Sequence, residues 1–148
     1  MDDERFGDPA ATPATGLRME YDVREPGRTQ SVVVVSPTTD DVAAALRSLD
    51  QSRRTDVTLE DATGAYITVG GGLGAYHVYI GAVDHEDRVI LQRTGPTGDA
   101  DGPTALVMDG HRQHYAAQDV VDQDTALTAL AEFMESGRPH PDLPWRAG

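Results

Sequence analysis

Between residues 57 and 92 the apolar pattern repeats every second residue, and this limits the possible folds more than any other stretch of the chain. A strand turns alternate side chains to opposite faces, so a period of two marks a sheet as a period near 3.6 marks a helix. Strand candidates lie at 57–60, 65–69, 75–80 and 88–92, separated by Asp61-Ala62-Thr63-Gly64, a glycine loop at 70–74 and an acidic turn at 84–87. Connections this short join antiparallel neighbours, so the segment predicts a meander.

The flanks add two helices and further strands. Met19-Glu20-Tyr21-Asp22-Val23 alternates as a strand does, Gly27 marks a turn, and the four valines 32–35 read as a buried strand. Thr38 or Thr39 then caps a helix predicted over about 39–53, in which Val42, Ala45, Leu46 and Leu49 fall at i, i+3, i+4 and i+7. Segments 105–108 and 111–116 flank Asp109-Gly110, a strong hairpin signal, after a Gly-, Pro- and Asp-rich loop at 95–103. A second helix is predicted over about 124–136, capped by Asp122 or Asp124. Its stripe is Leu127, Leu130, Ala131 and Met134, widened by Ala126 and Phe133. Residues 1–17 lack periodicity and read as a flexible N-terminal tail. The expectation is one α+β domain over 18–148, with a largely antiparallel sheet and two main helices.

The C-terminal helix has a defined end. Gly137 supplies a left-handed residue, and Pro139 prevents continuation. Pro139, Pro141 and Pro144 stiffen a strap that can return Trp145, the only tryptophan, to the body of the domain. Burying such a ring removes about 150–250 Å² from water, so Trp145 reads as an anchor.

The same residues carry a family likeness. Ala129-Leu130-Ala131-Glu132-Phe133-Met134-Glu135-Ser136-Gly137-Arg138-Pro139, followed by Leu143-Pro144-Trp145, resembles the C-terminal signature of the first-numbered family of immunity proteins in bacterial polymorphic toxin systems. Tyr66-Ile67-Thr68-Val69-Gly70-Gly71-Gly72 is similar to the glycine-ended strand midway along such proteins, so the resemblance runs from about residue 32 to 145. Phe133, Gly137, Pro139 and Trp145 are the signature positions. The resemblance implies an α+β fold, no enzymatic activity and a cognate toxin as partner. Genes of this family typically neighbour genes for toxins of the deaminase superfamily, so the implied partner is a zinc-dependent deaminase domain with a basic substrate cleft.

Charge bears on the partner independently. The chain carries 25 acids against 12 bases, for a net charge of −13, and the excess is spread evenly along it. A uniformly negative domain repels phosphate and acidic membranes, which disfavours direct nucleic-acid or membrane binding and favours a basic partner. All the bases are arginine, and Asp outnumbers Glu by 18 to 7. Partner matching, genome composition and a high-salt cytoplasm account for that bias equally well. Cysteine is absent, the first residues are acidic, and no run of about 20 apolar residues occurs, so the expected location is the cytoplasm.

No motif points to catalysis, and no cofactor is expected. The 70–74 glycine loop lacks the helix that a phosphate loop opens, and the chain has no lysine to complete one. His111 and His114 fall on opposite faces of a strand, and His77, His85 and His140 are scattered, which gives no convergent metal set. No serine sits in a nucleophile elbow. A carboxylate pair for acid–base work can be drawn from Glu60, Asp61, Asp84, Glu86 and Asp87, but a solvated acidic face accounts for the same residues. As partner contacts we expect Glu60, Asp61, Asp84, Glu86 and Asp87, with Tyr79 and Tyr76 as aromatic anchors. The alternative readings are a small-molecule-binding or hydrolytic domain built on the glycine loop and nearby carboxylates, and an assembly module using an exposed sheet edge.

Overall fold

The structure is a computed structural model that describes residues 16–94 and 102–148. Residues 1–15 of the expected tail and 95–101 of the expected loop lie outside the described residues. Leu17, at the end of that tail, is in the core at 1% exposure. Strands β1 (Arg18–Glu25) and β2 (Arg28–Val35) form a hairpin, followed by α1 (Thr39–Arg47) and the meander β3 (Asp56–Glu60), β4 (Ala65–Gly72), β5 (Ala75–Ala82) and β6 (Arg88–Leu91). A second hairpin, β7 (Thr104–Met108) and β8 (His111–Tyr115), precedes a 3₁₀ turn at Ala117–Asp119, α2 (Gln123–Ser136) and β9 (Trp145–Ala147). The main sheet has the order β2-β1-β3-β4-β5-β6-β9, with every neighbouring pair antiparallel. The α+β architecture is the expected one.

Register divides the sheet into two faces. Met19, Leu59, Ile67 and Ile80 align across β1, β3, β4 and β5, and Val57, Val69 and Val78 form a second row on the same face. All seven side chains are buried, and α1 and α2 pack over them through Val42, Leu46, Ala126, Leu130 and Phe133. Both helices begin at side-chain caps. Asp41 N–H donates to Thr38 Oγ1 at 3.0 Å while Thr38 N–H donates back to Asp41 Oδ2, and Thr125 N–H donates to Asp122 Oδ1 at 2.9 Å.

Several expectations are corrected. Helix α1 ends at Arg47 because Asp50 Oδ1 accepts the N–H groups of Ser52, Arg53 and Arg54, which turns the chain back toward the sheet. Ala131 is exposed and Ala129 takes its place in the buried stripe of α2. The valines of β2 do not form a buried strand: β2 is an edge strand, with Val33 49% and Val35 75% exposed. The glycine loop shrinks to Leu73-Gly74, since Gly70–Gly72 continue β4. Side chains at Gly71 and Gly72 would strike the backbone of Ala75 and Leu49, so the apolar alternation stops there although the strand does not.

The C-terminal strap closes the sheet. Gly137 takes φ 71° and donates its N–H to the Phe133 carbonyl at 2.8 Å, and a Cβ there would stand 2.7 Å from Asp61 Oδ2. Trp145 then pairs with Leu91 as the first residue of β9, a strand the sequence does not announce. Its ring is half-buried against the core, and its Nε1–H donates to the His140 carbonyl at 3.0 Å. Arg146 binds Asp119 with both arms of its guanidinium, at 3.0 and 2.7 Å. Trp145→Ala should therefore lower stability by about 2 kcal/mol, less than for a fully buried ring, and Tm by roughly 4–8 °C. Thermal unfolding followed by circular dichroism checks this; an unchanged Tm would show that the strap does not clamp the fold.

Candidate partner-binding face

The face of the sheet opposite the helices is polar and only half covered. Along its middle, Val33, Glu20, Thr58, Thr68, Tyr79, Ile90 and Arg146 align in one row across all seven strands. At one end the β7–β8 hairpin lies on it. Met108 fills the space over Gly70, where any Cβ would collide with its side chain, and the Tyr115 ring stacks on His77 with centroids 4.3 Å apart. His77 is buried, with Nδ1 2.9 Å from the Asp119 carbonyl, and burial pushes its ring pKa down, favouring the neutral form.

The tip of this hairpin is tied to β1 and β3 by an acidic cluster. The buried Asp22 carboxylate accepts from the Thr55 N–H at 2.7 Å, the Thr55 hydroxyl, the Asp56 N–H and Arg24 Nε. Arg24 also reaches Asp109 in the hairpin turn at 3.1 Å, and Gly110 N–H donates to Thr55 Oγ1. Burial acts to raise the Asp22 pKa, but the hydrogen bonds from Thr55, Arg24 and Asp56 outweigh it and hold the group low. Asp56 shows the opposite balance. Burial, together with the charges of Asp22 and Asp109, raises it from 3.8 to about 6. These groups line a cleft of about 340 Å³ beside β2.

Among the described residues, nothing covers the other end of the face, which has acidic residues at its rim. Antiparallel pairing sets Ala65 opposite Ala82, which brings the 61–64 and 83–87 turns side by side; Val83 N–H donates to the Gly64 carbonyl at 2.9 Å. Asp84 and Glu86 are exposed in the β5–β6 turn, and Glu60, two strands away on β3, is half-buried with Arg18 at 3.4 Å. Tyr79 lies inside this rim. Tyr66 meets it edge-on at 6.3 Å and the Arg88 guanidinium covers its ring at 4.8 Å, while Thr58 and Thr68 share a hydroxyl hydrogen bond of 2.8 Å next to it. Edge-to-face rings and a stacked guanidinium hold Tyr79 in place before any partner arrives.

Of the seven expected contact residues, Glu60 and Tyr79 lie on this face and Asp84 and Glu86 are exposed in the turn at its end, whereas Asp87 borders the helix side beside Ile80 and Val89. Asp61 is turned away from this face: its Oδ1 shapes the 61–64 turn by accepting from Thr63 N–H, Thr63 Oγ1 and Ala65 N–H, and its Oδ2 lies beside Gly137 at the end of α2. Tyr76 lies on the helix face, 1% exposed, and presents no surface to a partner. Tyr66, Thr58 and Val33 belong to the open face, with Thr68 beneath them at 7% exposure, and none was among the expected contacts. Their spacing within each strand pointed to a common face, but only the register joins them.

The glycine segment offers no anion cradle. Gly71 N–H is taken by the Thr55 carbonyl at 3.1 Å, and the Gly72 carbonyl by Gln51 Nε2 at 3.0 Å. Among the described residues, no three His, Cys, Asp or Glu side chains are placed to hold a metal, and no helix is long and apolar enough to cross a membrane.

Comparison with known families matches residues 30–147 to the family described as Immunity protein Imm1, which takes in both helices, the meander, the second hairpin and the tryptophan strap. The chain belongs to the Imm1 immunity-protein family. Its membership agrees with the resemblance read from the helix, glycine stop and tryptophan, and covers nearly the same span. A search of curated proteins matches none. An immunity protein implies a cognate toxin as its partner.

The acidic cluster yields a pH prediction. Between pH 3.8 and about 6 the unfolded chain releases the Asp56 proton before the folded one does, so stability is lost as pH rises through that window and no further above it. Asp56→Asn removes this loss while keeping an acceptor. Since Asp56 is partly exposed and screened, the variant should be more stable than the parent by about 1 kcal/mol at pH 8, with the gain vanishing near pH 4. Denaturant unfolding at the two pH values measures it, and a pH-independent difference would contradict the assignment.

Proposed function

We propose that this chain is a catalytically inert binder that neutralises a cognate toxin of the deaminase superfamily in the cytoplasm of the cell that makes both. Family membership supports the immunity role, and the resemblance supports the class of toxin. The observation that carries the reading of the surface is Tyr79, set between Tyr66, Thr58 and the Arg88 guanidinium on the uncovered part of the sheet, with Glu60 on the same face and the exposed Asp84 and Glu86 in the adjoining β5–β6 turn. A deaminase acting on nucleic acid presents a basic approach to phosphate and a pocket for an extruded base, with zinc and its activated water inside. An acidic rim around a pre-ordered aromatic and hydroxyl platform complements such an approach, and the zinc belongs to the partner.

Long-range attraction between an acidic domain and a basic cleft speeds encounter, whereas desolvated central contacts set residence time. Raising salt from 50 to 500 mM should therefore slow association by on the order of tenfold or more while changing dissociation far less. Reversing Asp84, Glu86 and Asp87 together to Arg should lower the association rate similarly at low salt. Stopped-flow or surface-based kinetics with the catalytically inactivated product of the adjacent toxin gene reads both. Salt-independent association would remove the steering account, and failure of the chain to bind this product or rescue growth on co-expression would remove the immunity account.

A further inference from the structure

Among the described residues, no strand pairs with the outer side of β2 over its whole length. The Pro26-Gly27 turn sets Glu25 opposite Arg28, and antiparallel alternation then points the amides and carbonyls of Arg28, Gln30, Val32 and Val34 toward β1. The Ser36 N–H bond to the Leu17 carbonyl, 2.9 Å, continues the same series. Thr29, Ser31, Val33 and Val35 consequently direct their backbone N–H and C=O groups to the free edge. Their side chains lie on the open face, in line with Glu20 and Tyr79.

Edge strands are usually blunted by charge, proline, a bulge or shortness. From Thr29 to Val35, β2 has no charged residue and no proline, its register with β1 runs without a bulge, and it is eight residues long. The opposite edge, β9, has three residues. Two of the four large exposed apolar side chains described, Val33 and Val35, are on β2.

We propose that β2 is a strand-addition site, and that its occupant is an extended, basic segment of the toxin, which continues the sheet past β2. This deepens the immunity reading and rests on it. Charge decides the occupant. On β1, Arg18 is paired with Glu60, Asp22 with Arg24 and Glu25 with Arg53, but among the described residues Glu20 has only the Ser31 hydroxyl. Glu20 is exposed and sits directly across from Val33. Strands are about 4.8 Å apart, so a Lys or Arg on an added strand opposite Val33 can lie over the valine and reach Glu20. A second copy of this chain supplies no such cation, because its own β2 is uncharged from Thr29 onward and each copy carries a net charge of −13. Main-chain bonds along the edge then provide affinity, and Val33, Val35 and Glu20 select the incoming side chains.

The test uses the full chain and the inactivated product of the adjacent toxin gene, with residue-resolved amide exchange and the variant Val33→Pro. Proline at Val33 removes an outward N–H and leaves the bonds to β1 intact. In the complex, the amides of Thr29, Ser31, Val33 and Val35 should become protected, whereas those of Gln30, Val32 and Val34 are protected with or without toxin. Val33→Pro should weaken binding by on the order of tenfold or more, and Glu20→Gln should weaken it severalfold. If the four outward amides exchange equally fast in free and bound protein, or folded Val33→Pro binds within twofold of the parent, strand addition is overturned while the immunity reading stands. Should Val33→Pro not fold, exchange in the parent chain decides alone. Parent chain that does not bind the toxin at all overturns the immunity reading and this one with it. Concentration-dependent dimers of the parent that Val33→Pro abolishes assign the edge to a second copy and overturn the proposed occupant.

Discussion

The pairing register of β3, β4 and β5 is the constraint on which the remaining structure depends. Val57, Val69 and Val78 align across these strands, as do Leu59, Ile67 and Ile80, and each is at most 7% exposed. A slip of one residue would turn all six to the polar side and bring Thr58, Thr68 and Tyr79 under the helices. No intermediate register satisfies both faces. The same alignment that gives α1 and α2 a continuous apolar floor therefore also collects Tyr66, Tyr79, Thr58 and Thr68 on the reverse side, next to the two acidic turns.

The two sides of the sheet are finished differently. Helices cover one side with apolar side chains, whereas the β7–β8 hairpin covers part of the other through a polar set: Tyr115 on His77, Gly110 on Thr55 and Arg24 between Asp22 and Asp109. Gly70 is what lets the hairpin approach, because Met108 occupies the space a side chain would need. The hairpin ends where it does because its turn is held by β1 and β3. Beyond it the sheet stays open, and an open face bounded by acids and by an unprotected strand edge is costly for a monomer to keep without a use.

Features set by local chemistry were legible in the sequence. The caps at Thr38 and Asp122, the stop at Gly137, the Asp109-Gly110 hairpin and the period of two each depend on neighbouring residues alone, and each appears as expected. Features set by partners distant in sequence were not. The valines of β2 look buried because four β-branched residues suit a central strand, and nothing nearby shows that β2 has one neighbour only. Tyr76 and Tyr79 lie on one strand, yet an odd separation sends one to the core and the other to the open face; the pattern shows that they part, and only the sheet order shows which way. Strand β9 and the Asp22, Asp56 and Asp109 cluster arise where segments far apart in the chain meet, so no local signal encodes them.

Membership of an immunity family names a role, and the side of the sheet away from the helices carries an aromatic and hydroxyl patch around Tyr79, with Glu60 beside Tyr66 and, among the described residues, an unpaired edge at β2. The central claim is that the toxin is held on that side. Cross-saturation transfer from unlabelled, inactivated toxin to the isotope-labelled chain tests it most directly. Saturation is expected at Val33, Thr58, Tyr66, Tyr79 and residues 84–86, with the exposed flanks of α1 and α2 unaffected. Saturation concentrated on α1 and α2, with the open face silent, would contradict it.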